Sequence, residues 1–157
     1  MRSASTESPL ATRRNTENMS FDPEIVVLYC QHCVAQDADV TVASQQMRGL
    51  TVRPTLMPCS SKVEVPHLLR ILEQGADGVE LVACPEAKCR FLVGSRKAEK
   101  RVERARGLLE GIRMGGQRLG LSRKEKLSAE ALLDLAEARA GAVKPLGPNP
   151  MKKGEPA

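Results

Sequence analysis

Tryptophan is absent from the 157 residues, tyrosine occurs once and phenylalanine twice. Binders of single-stranded nucleic acid stack bases on aromatic rings, and Phe21, Tyr29 and Phe91 are too few for such a platform. No nucleic-acid partner is expected. Long apolar runs are also missing: the longest, Ile25 to Leu28 and Gly78 to Ala83, fall far short of the ~20 residues that cross a bilayer. Arg2, Arg13 and Arg14 are not followed by the apolar stretch of an export signal, which predicts a cytoplasmic protein without a membrane span. Paired catalytic carboxylates, a nucleophile triad and a phosphate-cradling glycine loop are missing too. Gly115-Gly116 follows a helical pattern instead of opening one, so bond chemistry has no candidate catalytic residues.

The composition is otherwise that of one folded domain, 41% apolar and 27% charged. Residues 1–23 lack periodicity and read as a disordered leader, and residues 149–157 as a breaker-rich tail, leaving a domain over 24–148. The net charge of +5 is unevenly placed. Arg96, Lys97, Lys100, Arg101, Arg104 and Arg106 face only Glu99 and Glu103 in the same stretch. Such a run is either a solvated helix surface or a docking face for an acidic partner.

Ile25 to Leu28 form a continuous apolar run before Cys30, the pattern of a strand buried on both faces. A helix is expected over Val34 to Met47, with Gly49 ending it. Leu50 to Met57 reads as a second strand, and Pro54 places it near the sheet edge. Val65, Leu68, Leu69 and Leu72 recur at helical spacing between Pro66 and Gly75, and Gly78 then opens a third strand ending at Cys84. Ala98, Val102, Ala105, Leu109 and Ile112 line a long helix. Arg118 to Leu121 suggests a fourth strand, and a last helix starts at Ser128. Alternating strands and helices predict an α/β fold, a single three-layer domain with a parallel sheet of three or four strands.

Cys30, Cys33, Cys59, Cys84 and Cys89 are the compositional anomaly. Five is an odd number, and a reducing compartment disfavours disulfides. Each cysteine stands at or just after the end of a predicted strand, the edge at which open α/β sheets bind ligands. Thiolates converging there select zinc, copper(I) or an iron–sulfur cluster. A zinc-stabilised binding module and a Cys30/Cys33 dithiol oxidoreductase remain the alternatives to a cluster. His32 and His67 are expected to serve hydrogen bonding and the surface respectively.

Cys30-x-x-Cys33, Met57-Pro58-Cys59-Ser60, Gly75-Ala76-Asp77-Gly78-Val79, Cys84-x4-Cys89, Gly94 and Leu146-Gly147-Pro148 occur in order over residues 25–148. Together they resemble the delta-subunit family of methyl-viologen-reducing hydrogenase. The resemblance implies a 2Fe-2S cluster on four of the five cysteines. It also implies a non-catalytic electron-transfer subunit between a hydrogenase or other electron-donating dehydrogenase and a heterodisulfide-reductase-like flavoprotein. The chain departs from that pattern around the thiols. Tyr29 stands where relatives have a further cysteine, Ser61 where they commonly have glycine, and Cys84 to Arg90 lacks their histidines and glycines. Arg123 to Lys126 replaces a small, acidic segment. Lys62, Lys88 and Arg90 are expected near the cluster edge, where positive charge favours the reduced state and raises the potential.

Overall fold

The computed structural model describes residues 21–45, 47–89 and 93–152. Residues 1–20 of the expected leader, residues 153–157 of the expected tail, and Arg90 lie outside this set. Four parallel strands, β1 (Glu24–Cys30), β2 (Thr51–Met57), β3 (Gly78–Ala83) and β4 (Leu119–Arg123), form one sheet in the order β2-β1-β3-β4. Helices α1 (Val40–Gln45), α2 (Val65–Glu73), α3 (Gly94–Gly111) and α4 (Ala129–Val143) complete an α/β domain.

The layers follow from the two-residue period of a strand. Val26, Leu28, Val79, Leu81 and Leu119 pack against Leu68 and Leu72 of α2 and Val102 and Leu109 of α3. Ile25, Val27, Val52 and Val82 face the other way, against Val40 of α1 and Leu132, Ala136 and Val143 of α4. Central β3 is covered on both sides and all six of its residues are buried.

β2 is an edge strand, as Pro54 implies. Thr51 N–H donates to the Pro23 carbonyl and Gln31 N–H to the Met57 carbonyl, so odd-numbered residues of β2 turn their backbone groups toward β1. Pro54 therefore turns toward the open edge, where its missing N–H breaks the ladder that a foreign strand would need.

Three elements differ from expectation. The first helix is limited to Val40–Gln45, because the preceding loop is held elsewhere: Leu127 N–H donates to the Cys33 carbonyl and Ala35 N–H to the Leu127 carbonyl. Asp39 then accepts from Val42 N–H and starts the helix. Ile112, placed in the apolar stripe of α3 by its spacing, is 65% exposed because the helix stops at Gly111. Asn149, assigned by sequence to the tail, is buried. Its side-chain amide donates to the carbonyls of Leu72 (2.7 Å) and Ala76 (2.6 Å), and its N–H to Asp77 Oδ1 (2.8 Å).

That contact belongs to a lock at the amino ends of the strands. Asp77 also accepts from Glu24 N–H, while buried Arg118 donates to the carbonyls of Met114, Asp77, Gly147 and Pro148. Gly78 is packed too tightly for any other residue, since a β-carbon there would meet Val143 at 2.9 Å and Ile25 at 3.0 Å. These contacts give the Ala76-Asp77-Gly78 and Gly147-Pro148 segments a structural purpose far from the cysteines.

Candidate metal centre

From β1 the chain leaves through α1 for one face of the sheet, and from β3 through α3 for the other. Adjacent strands whose connections diverge open a crevice at their carboxyl ends, the switch point of an open α/β sheet. Cys30 closes β1, Cys33 follows three residues later, and Cys84 follows the last residue of β3. The topology thus brings three thiols separated by up to 54 residues into that crevice.

All three are buried, with sulfurs within 4.8 Å of one another. Cys33 and Cys84 are 3.6 Å apart and Cys84 and Cys30 3.7 Å. Tetrahedral metal–sulfur bonds of about 2.3 Å place neighbouring sulfurs ~3.8 Å apart, so the spacing fits thiolates that share a metal. The thiols polarise one another. The Cys33 thiol draws the Cys30 pKa down to about 5, helped by the His32 backbone and Cys84. Its hydrogen bond to Cys30, followed by burial, pushes Cys33 up, and burial pushes Cys84 up to about 11. Cys30 is thus the thiol of the three held closest to its ionised form, with the Cys84 thiol directed at its sulfur.

The other two thiols form a second group. Cys59 precedes a short 3₁₀ turn (Ser60–Lys62), and its sulfur accepts from the Ser61 hydroxyl at 3.2 Å and the Ser61 N–H at 3.5 Å. Cys89 follows a second 3₁₀ turn (Glu86–Lys88). Both sulfurs lie against Gly94, the first residue of α3: a β-carbon there would stand 2.8 Å from Cys59 Sγ and 3.3 Å from Cys89 Sγ. The positive end of the α3 dipole is thus beside both sulfurs. The two groups are joined through Pro58, whose carbonyl faces Cys30 Sγ at 3.8 Å.

Ion pairs and hydrogen bonds hold the loops. Arg123 reaches Ser95 (3.0 Å), Glu99 (2.8 Å) and Glu86 (3.3 Å), tying the Cys84–Cys89 loop to β4 and α3. Arg101 donates to the carbonyls of Ser61 and Val63 (2.9 Å for the latter), fixing the Cys59 loop. Lys88, expected to add positive charge at the cluster edge, is paired with Glu125 at 2.8 Å, so its field is largely compensated. Lys62 keeps an uncompensated charge among the described residues, whereas Arg90 lies outside them. His32 is half-buried, with its Nε2 3.4 Å from the Gln31 amide, and His67 is exposed. Sequence reasoning missed Ser61, Arg101 and Arg123 as supports of the thiols. Only the basic run and the Cys-Ser-Ser-Lys segment hinted at them.

The donor set is sulfur only, which suits a soft metal or an iron–sulfur centre. A family model described as methyl-viologen-reducing hydrogenase, delta subunit, matches residues 25–147. The chain belongs to that family. Among delta-subunit relatives, an iron-sulfur subunit of the F420-non-reducing hydrogenase of Methanocaldococcus jannaschii is 31% identical over 132 residues, covering 84% of this chain and 98% of that protein. The corresponding hydrogenase subunit of Archaeoglobus profundus is 30% identical over 82% of this chain and 93% of its own length. One subunit of a CoB-CoM heterodisulfide reductase of Methanosarcina acetivorans is 31% identical over 120 residues, 76% of this chain but only 15% of that larger protein. A delta-subunit-like domain therefore also occurs inside a heterodisulfide reductase polypeptide. Among the described residues, no helix is long and apolar enough to cross a membrane.

Proposed function

We propose that the chain is an electron-transfer iron–sulfur subunit, with a 2Fe-2S cluster held by four of Cys30, Cys33, Cys59, Cys84 and Cys89. The observation that carries this reading is the buried trio of sulfurs at the switch point, at spacings that fit shared metal coordination. A two-iron cluster takes four thiolates, and Cys59 or Cys89, the two cysteines outside the trio, would supply the fourth. When bound, such a cluster supplies one-electron transfer. The chain's residues then bind it, exclude water from it and tune it: burial of all five sulfurs lowers the local dielectric, and the Ser61 hydrogen bonds temper the charge on Cys59.

The reading extends to a relay between a hydrogenase or other dehydrogenase and a heterodisulfide-reductase-like flavoprotein, in the cytoplasm. It is supported by the names of the hydrogenase relatives and by the related domain inside the heterodisulfide reductase polypeptide. The exposed cations of α3, Lys97, Lys100 and Arg104, begin one turn from Gly94 and the Cys59–Cys89 pair, which suits them to steer an acidic partner toward the centre. Arg101, on the same helix, is partly buried and spent on backbone carbonyls, so its charge belongs to the fold.

Anaerobic purification with iron, sulfide and zinc quantitation tests the reading. A brown protein bleached by dithionite, with about two irons and two sulfides per chain, is the expected result. A colourless protein with one zinc would replace it with a structural metal site. Serine substitution of each cysteine identifies the four ligands. Reversing Lys97, Lys100 and Arg104 to Glu should slow association with the partner at low salt, and an unchanged rate would remove α3 as the docking face.

A further inference from the structure

A cavity of about 370 Å³ lies beside the thiol centre, on the side of the sheet shared by α2 and α3. It exists because the helices on that face pack over β1, β3 and β4, while α1 covers edge strand β2 only on the opposite face. Val26, Leu28 and Met57 form its floor, and Val63 and Ile71 its walls. We infer that this cavity binds a small amphipathic anion, an apolar body with a single carboxylate or sulfonate head, and that its occupancy is coupled to the thiol centre.

The volume and the apolar lining are those of a small-molecule site, which takes specificity from a few polar groups. Their charges choose the ligand. At the end remote from the thiols, Glu24 and Arg53 pair at 2.8 Å and cancel. At the near end, Lys62 and His67 line the rim with no acidic side chain within ion-pair distance among the described residues. The uncompensated sign is positive and sits at one end only. A molecule whose apolar part covers the floor and whose anion meets Lys62 satisfies both features. A cation of the same shape has no partner there.

Coupling follows from the chain path. The Met57 carbonyl accepts from Gln31 N–H at 2.9 Å, within the Cys30–Cys33 loop, and the Pro58 carbonyl faces Cys30 Sγ. Lys62 closes the turn that begins at Cys59. An occupant pressing on Met57, Pro58 and Lys62 therefore touches the residues that place two of the sulfurs, and any effect is reciprocal by linkage. The coupling rests on the metal-binding reading above; the binding itself does not.

The full chain is titrated, metal-free and metal-loaded, with 8-anilinonaphthalene-1-sulfonate, and decanoate and decylamine are used as competitors. Saturable one-site fluorescence, displaced by decanoate and not by decylamine, is expected. Lys62→Glu should weaken it about tenfold, the worth of one ion pair out of bulk water. Thr55→Trp, which fills the cavity from an exposed edge position, should abolish it with thermal unfolding unchanged. Absence of saturation, equal displacement by decylamine, or full affinity in Lys62→Glu would overturn the site. Equal affinity in metal-free and metal-loaded protein would overturn the coupling while leaving the site intact. A chain that takes up no iron yet binds decanoate would sink the electron-transfer reading alone.

Discussion

Gly94 and Cys59 are in contact through the hydrogen that glycine carries in place of a side chain: a β-carbon at position 94 would be 2.8 Å from Cys59 Sγ, with Cys89 Sγ only 3.3 Å away. Gly94 is helical and not at a positive φ, so close approach and not backbone freedom selects glycine. Gly94→Ala must push one sulfur or the start of α3 aside. Overpacking of this kind costs about 1–3 kcal/mol. Iron incorporation per chain should fall and thermal unfolding should shift downward; full incorporation would mean that neither Cys59 nor Cys89 is constrained at the centre.

The Ser61 hydroxyl, 3.2 Å from Cys59 Sγ, is a donor that glycine at this position cannot supply. Hydrogen bonds to cluster sulfurs stabilise the more negative, reduced state. Ser61→Ala should therefore lower the midpoint potential. A differential of ~0.5 kcal/mol between the two redox states corresponds to ~20 mV for one electron. Spectroelectrochemical titration measures it, and an unchanged potential would identify Cys59 as the sulfur left outside the ligand set.

Asn149 anchors the end of the domain to carbonyls of the α2–β3 turn at the strand ends opposite the thiols. Asn149→Ala leaves the Ala76 carbonyl without its donor in a buried place, while Leu72 keeps the Gly75 N–H, at a cost of about 1–3 kcal/mol. For a domain of this size that is a fall of roughly 2–10 °C in melting temperature. Metal content and visible spectrum should match the unaltered protein, because the lock stands at the far ends of the strands. Loss of metal together with stability would show that the lock and the centre are coupled.

The thiol trio makes the metal-free protein's stability depend on pH with opposite signs on two sides. Cys30 is held down at about 5 by the Cys33 thiol, so its contribution is present above the unfolded value of ~8.5 and fades as pH falls toward 5. Cys33 and Cys84 are raised, the latter to about 11, so the folded state keeps protons that the unfolded chain releases. The Cys84 contribution is complete below ~8.5 and is lost as pH climbs through about 11, and that of Cys33 declines in the same alkaline direction. Stability should peak near pH ~8, between the two windows. Urea midpoints across roughly pH 5–10.5 measure the profile, and Cys84→Ser should flatten its alkaline limb; a limb identical in the variant would show that other groups cause it.

Much of this architecture is legible in the chain itself. The apolar run from Ile25 to Leu28 has the pattern of a strand buried on both faces, and Val65, Leu68, Leu69 and Leu72 recur at the spacing of one helix face. Pro54 marked the edge, and the cysteines at strand ends announced a sulfur site. These signals are local: they depend on the period of the backbone and on the chemistry of a residue type, which neighbours in sequence suffice to determine.

Tertiary structure decided the rest, because it depends on distances between segments far apart in the chain. Only the strand order made β1 and β3 neighbours, which grouped Cys30, Cys33 and Cys84 and left Cys59 and Cys89 to meet across Gly94. Only packing turned Asn149 inward, shortened the first helix by pairing its entry loop with Leu127, and diverted Arg101 from a docking charge to a backbone clamp. Each outcome is a competition between long-range contacts and a local preference. At these positions the long-range contact won because it satisfies a buried hydrogen-bonding group that the local alternative leaves without a partner.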